Sequence, residues 1–291
     1  MRAACAAGLV LLLGASASAE ESSERLSFEI SDRAGLVRAP FVTSTFPEVS
    51  GFGMRLTAAA AVRLASLDWR VTLPVGVVWL DFPAGAHVTE TVLGNLELGV
   101  EHEAPLSPST SVGLLAALLA PSAGQGSRTS LLDNRALALV SALNGGKDSA
   151  LLTPGVSGLR LQASVDHSEP PFELRASVDL ALLVRLSDAS LPEETQTHAV
   201  GVWSALDLGA TLPITSWFGA TLGGALSAQP VRVHELALER HRERWLQALV
   251  EPGVYMKIGQ ATVLGLDGSI PVGGNLGGDA WSVCIHARRA L

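Results

Sequence analysis

Three groupings in this 291-residue chain carry residue types able to do chemistry. His234-Glu235, with His241 further on, offers the imidazole and carboxylate groups that hold zinc. A zinc-binding helix needs its two histidines at i and i+4, so that both rings meet the ion from one face. Here the second histidine lies seven residues on, among Glu239, Arg240, Arg242, Glu243 and Arg244, and the stretch reads as a solvated, charged loop. Asp166-His167-Ser168 has the residue types of a nucleophilic relay. Members of such a relay converge from distant segments, and three neighbours on one short turn do not line up, so the trio reads as a polar turn closed by Pro170-Pro171. Cys284 and His286 are two apart and share one face of a strand, but two ligands are too few for a metal centre. Gly145-Gly146 and Gly273-Gly274 mark loops, and no phosphate-binding loop follows a parallel strand. The sequence therefore predicts no catalytic residue, no metal site, no cofactor and no enzyme.

The larger constellation is ionic, and only the elements beneath it bring it together. From Trp69 to Trp79 the odd positions read Trp, Val, Leu, Val, Val, Trp, while the even ones begin Arg70, Thr72, Pro74, Gly76. Side chains on a strand alternate faces, so one face is apolar with an aromatic ring at each end and the other is polar or small. Phe172 to Leu186 repeats this with apolar even positions. So does the run from Leu246 to Ile258, and the last segment sets Trp281, Val283, Ile285 and Ala287 against Ser282, Cys284, His286 and Arg288. Between Val92 and Val100 the same reading places Val92, Leu96, Leu98 and Val100 on the apolar face and Asn95 and Glu97 on the polar one. The polar faces carry Arg70, then Glu97 and Glu101, then Arg160. Further along come Glu173, Arg175, Asp179 and Arg185, then Asp207, then Glu251 and Lys257, and finally Arg288, with Arg55, Arg63 and Asp267 on the same footing. These are the candidate pore-lining residues. Burying so many charges in a dry core costs several kcal/mol per ion, so the polar face predicts a watery lumen and the apolar face lipid. Rings of charge in a lumen select solutes by sign and size. The alternative is that they pair across strands and fill a closed barrel.

About twelve strands fit the alternation, roughly 35–46, 52–64, 68–80, 91–103, 110–120, 154–165, 172–186, 198–212, 217–229, 244–258, 260–271 and 279–291. Long and short links take turns between them, as extracellular loops and periplasmic turns do in outer-membrane barrels. An even count returns both termini to the periplasm. The longest link, Pro121–Thr153, contains a predicted helix from a cap at Asp133 through Asn134 to Leu143, ended by Gly145-Gly146. Its apolar side, Leu137, Leu139, Val140 and Leu143, must bury either over the barrel mouth or inside the lumen.

Residues 1–19 read as a secretory signal: Arg2, the apolar run Ala6 to Leu13, and small residues before Glu20. Residues 20–34 read as a polar periplasmic leader and 35–291 as the barrel. The signal has no cysteine at its end to carry a lipid anchor, and its removal leaves Cys284 alone, which excludes a disulfide-stapled domain. The formal net charge of −8 becomes one unit more negative with the loss of Arg2 and argues against nucleic-acid binding.

Gly94-Asn95-Leu96-Glu97-Leu98-Gly99-Val100-Glu101, followed by Gly113-Leu114-Leu115-Ala116-Ala117-Leu118-Leu119-Ala120-Pro121, resembles a hairpin of uncharacterised bacterial outer-membrane β-barrels of porin or transporter type. There a Gly-Asn/Asp-Leu strand leads into a Gly-Leu-rich strand ending in Pro. The resemblance implies an all-β, antiparallel transmembrane barrel in the outer membrane of a Gram-negative bacterium, with passive transport as its expected role and no substrate specified. The expected partners are outer-membrane lipid, the barrel-assembly machinery and small solutes. The rival readings are a loop-displaying scaffold without transport, a barrel enzyme and a secreted β-sandwich.

Overall fold

The computed structural model describes residues 26–39, 49–64, 67–81, 87–123, 137, 140–144, 146–186, 198–231, 245–259, 262–274 and 280–290. The alternating segments form one 13-stranded sheet. Its strands are β1 (Leu26–Ala39), β2 (Val49–Leu64), β3 (Leu67–Asp81), β4 (His87–Leu93), β5 (Leu96–Ser107), β6 (Thr110–Ala120) and β7 (Val156–Glu169). The others are β8 (Phe172–Arg185), β9 (Val200–Pro213), β10 (Phe218–Val231), β11 (Trp245–Ile258), β12 (Thr262–Gly274) and β13 (Ala280–Ala290). β1 pairs antiparallel with both β2 and β13, and β2 with β3, so the sheet closes on itself. β4 and β5 both lie along β3. They are two halves of one stave, and the barrel has the twelve staves that the alternation predicts. Closure satisfies the backbone without water, which in hydrocarbon only a helix or an edgeless sheet achieves. β2, β3 and β8 run 16, 15 and 14 residues, ample for a tilted crossing that needs about 9–11.

The predicted faces hold along most staves. On β8, Val178 is 56% exposed and Asp179 only 3%. Leu98, Leu118, Leu159, Leu161, Leu180, Leu182 and Leu208 also point outward and stand exposed, a continuous apolar belt. Trp69, Phe172 and Trp217 are exposed near one rim. Near the other lie exposed Trp281 and the Phe52 and Trp79 rings, whose centroids are 5.5 Å apart. An apolar band between two aromatic girdles is how a barrel meets a bilayer. Among the described residues no helix is long and apolar enough to cross one.

Three expectations need correction. The first strand is Leu26–Ala39, not 35–46, so residues 26–34 of the expected leader belong to the wall. Their polar composition hides the alternation of Leu26, Phe28 and Ile30 with Ser27, Glu29 and Ser31. Residues 40–46, the signal, 1–19, and the start of the expected leader, 20–25, lie outside the described residues. Second, Val92 faces inward and is buried, while Leu93 faces out. Val75 pairs with Leu93 but Thr72 pairs with Glu97, so one extra residue is taken up at the Gly94-Asn95 break. A shift of one residue inverts the face. Third, Asp166-His167-Ser168 is strand, not turn, because β7 runs on to Glu169.

The link parity is as expected. β1–β2, β3–β4, β6–β7, β8–β9, β10–β11 and β12–β13 are joined at one end, which we term the long-link end. The other links, such as 108–109 and 170–171, turn at the opposite, short-turn end.

Candidate functional site

The polar faces of the staves converge on the lumen, and the β6–β7 link folds back into it. Leu137 and residues 140–142 of this link are helical, and a second short helix follows, α1 (Ser149–Leu152). Of the predicted helix and its ends, Asp133 to Ala136, Ala138, Leu139 and Gly145 lie outside the described residues. Leu137, Val140 and Leu143 are buried at 0%, 0% and 1% exposure, which places the apolar side inside the barrel and not over its mouth. The wall makes room for it with glycine. A Cβ on Gly76 would lie 2.5 Å from Val140 Cγ2, and one on Gly53 would lie 3.0 Å from Leu143 Cδ1. Leu151 packs in a buried cluster with Leu119, Val156, Ala181, Leu183 and Trp203. The long-link end of the lumen is thus filled by an apolar plug.

Polar contacts tie this plug to the wall from several sides. Asn95, at the break between β4 and β5, is fully buried. Its Nδ2 donates to the carbonyls of Ala150 (3.1 Å) and Thr153 (2.8 Å), its Oδ1 accepts from the Ala123 N–H (3.0 Å), and its own N–H donates to the Leu151 carbonyl (2.6 Å). One side chain therefore holds both ends of the inserted link, because the break frees its backbone from the ladder. Trp203 Nε1 donates to the Gly146 carbonyl (3.0 Å), and Ser282 Oγ to that of Leu143 (2.5 Å). At the tip, Lys147 Nζ donates to Glu251 Oε2 (2.6 Å) and Asp207 Oδ1 (3.0 Å). The neighbouring Asp148 carboxylate forms an ion pair with Arg55 and accepts from Asn144 Nδ2 (2.8 Å).

Below the plug lies a cavity of about 400 Å³, lined by both charge signs. Arg55 on β2 and Arg70 on β3 line one side from adjacent staves, and Asp207 on β9 and Asp267 on β12 line another. Arg160 is engaged within the wall. It donates to Asp179 through Nε (2.9 Å) and Nη2 (2.5 Å), and through Nη1 to Glu97 (2.8 Å). Glu97 is two staves away, and the small Ala117 opposite Arg160 on β6 leaves room for the reach.

The candidate pore-lining residues therefore separate into groups. Glu97, Arg160 and Asp179 brace the wall, and Asp207 and Glu251 clamp the plug. Arg70 lines the cavity and donates to Thr72 Oγ1 (3.3 Å). Glu101 lies on β5 toward the short-turn end. Glu173, Arg175 and Lys257 are exposed near that end; Arg175 Nε is 3.6 Å from Asp166, and Lys257 Nζ is 5.7 Å from the Tyr255 ring centre. Arg185 closes β8 at the long-link end, and the Arg288 side chain lies outside the described residues. Cys284 and His286 do share a face and line the cavity with Asp267, whose Oδ2 is 2.9 Å from His286 Nδ1. Asp166 and His167 point to opposite faces of β7, and His167 Nδ1 lies 2.9 Å from Thr110 Oγ1. The His234–His241 stretch lies outside the described residues.

Sequence reasoning missed the roles of Asn95, Trp203, Lys147 and Asp148. The signal for the last two was an adjacent pair of opposite charges immediately after two glycines in an otherwise apolar stretch. Asn95 was marked only as a polar-face residue and as part of a Gly-Asn-Leu motif.

No family model and no curated protein matches this chain. Solved structures do match in fold. An outer-membrane channel from Pseudomonas putida F1 superposes with a TM-score of 0.63 at 13% identity, covering 95% of this chain and 98% of that one. The translocator domain of the autotransporter NalP from Neisseria meningitidis gives 0.49 at 11% identity, with 98% and 94% covered. The NanC porin gives 0.47 at 8% identity, with 90% and 100% covered. At such identity the likeness is one of fold, and the fold is that of the outer-membrane β-barrels. With its apolar belt and aromatic girdles, the chain is a barrel of the Gram-negative outer membrane.

Proposed function

We propose that this outer-membrane barrel is a narrow pore for passive passage of small solutes, with its path closed by the inserted β6–β7 link. One observation carries the reading: a charge-lined cavity within the lumen ends at a plug that is a loop and not part of the wall. A barrel needing only to be filled has no use for buried charge, which costs several kcal/mol per ion and is often replaced by apolar packing without loss. A plug attached by side-chain contacts can leave while the ladder stays intact. No chemical step is asked of the lumen in this reading.

The test is single-channel conductance in planar bilayers, comparing the full chain with a variant lacking Ser127 to Asp148. The deletion removes no strand, so the barrel is expected to fold and keep heat-modifiable migration in detergent gels. The full chain is expected to conduct weakly or in rare bursts, and the deletion variant to show larger, steadier openings. An intact barrel that conducts in neither form would sink the pore and favour the second reading, a sealed scaffold. The tight apolar packing of Leu137, Val140 and Leu143 is what favours that alternative.

A further inference from the structure

Apart from the Glu97–Arg160–Asp179 network and His286, whose Nδ1 is 2.9 Å from Asp267, the charges around the cavity are segregated by sign. Arg55 and Arg70 stand on adjacent staves, while Asp207, Glu251 and Asp267 belong to β9, β11 and β12. In the closed order of staves, β9 is six places from β2 in either direction, so Asp207 belongs to the stave opposite that of Arg55. Between them the plug inserts two consecutive residues of opposite charge. Lys147 docks on the anionic side, at 2.6 Å from Glu251 and 3.0 Å from Asp207, and Asp148 docks on Arg55. The chain thus presents its own lumen with a tethered ammonium and carboxylate, each on the wall of opposite sign. Both side chains line solvent-accessible space, at 17% and 13% exposure.

We infer that the lumen binds small zwitterionic solutes, molecules with an ammonium at one end and a carboxylate at the other, in competition with the Lys147-Asp148 pair. A ring of one sign would favour a simple cation or anion. Two walls of opposite sign reward a solute that neutralises both at once. A singly charged ion engages one wall and leaves the other to the plug. The nearby charges Glu97, Arg160 and Asp179 are held in their own wall network, one guanidinium between two carboxylates, and leave no cation free to join Arg55 and Arg70. The cavity of about 400 Å³ holds a molecule of amino-acid size. A zwitterion that takes both docking points releases the plug tip, so solute and opening are coupled. This inference rests on the pore reading, because only a path gives the coupling a use.

Binding and conductance are measured separately, so the two readings can fail separately. Calorimetry on detergent-folded full chain, at fixed ionic strength, uses glycine, γ-aminobutyrate and ε-aminocaproate, with acetate and methylammonium as single-charge controls. Saturable binding is expected for at least one zwitterion and for neither control. The double variant Lys147→Ala/Asp148→Ala should bind it about tenfold more tightly or better, because the resident competitor is gone. Arg55→Gln and Asp207→Asn should each weaken it, with heat-modifiable migration showing that the barrel is intact. Controls that bind as well as the zwitterions would overturn the inference, as would no zwitterion binding in the double variant. Binding as described without conductance in any form would leave the site standing and defeat the pore. Conductance on deletion without zwitterion binding would do the reverse.

Discussion

At the scale of single residues, position and partner were set by different physics. The period of two told which side of the wall Arg160 occupies, and its burial inside the lumen follows. Its partners were hidden, since Glu97 is 63 residues away and Asp179 is 19. With both carboxylates nearly inaccessible, Arg160→Met leaves two buried anions without their cation. The expected loss is about 3–5 kcal/mol in unfolding from detergent micelles. The triple variant Glu97→Leu/Arg160→Met/Asp179→Leu should recover most of it. A single Arg160→Met variant as stable as the parent would show that water reaches these groups freely.

At the scale of elements, the stave made of β4 and β5 shows what a local irregularity does. Gly94-Asn95 interrupts the ladder, inverts the face of everything before it and frees Asn95 to hold Ala123, Ala150, Leu151 and Thr153. Asn95→Leu removes that side chain's three hydrogen bonds and strands buried carbonyls, each costing about 1–3 kcal/mol. The expected result is an intact barrel whose β6–β7 link is cut faster by protease and whose openings are more frequent. An unchanged cleavage rate would mean that Trp203 and the Lys147 pairs hold the link without it. The regular staves make a separate prediction. Leu180→Arg or Val254→Arg on the lipid face should cost roughly 2–4 kcal/mol, far more than Gln162→Arg on the lumen face. Equal losses on the two faces would mean that the outer surface does not meet lipid.

At the scale of the whole molecule, the sequence determined the class of fold and its handedness of faces. Long alternating segments with aromatic ends and a charged second face favour a lipid-facing barrel over a soluble sandwich, and the alternation of long and short links orders them into an even-numbered barrel. These are local and additive signals, read along the chain without knowing which strand meets which. The first strand escaped because its alternation is written mostly in polar residues, and only the pairing of β1 with both β2 and β13 reveals it. What only the tertiary structure decided is the state of the lumen. The apolar side of the long link had to bury somewhere, and its sequence allows the mouth as the plain reading and the interior as the sharper one. The glycines at 53 and 76, the Asn95 break and the opposed walls that receive Lys147 and Asp148 come from staves far apart in the chain. They become one site only on closure, because it is closure that turns separate polar faces into a single enclosed space.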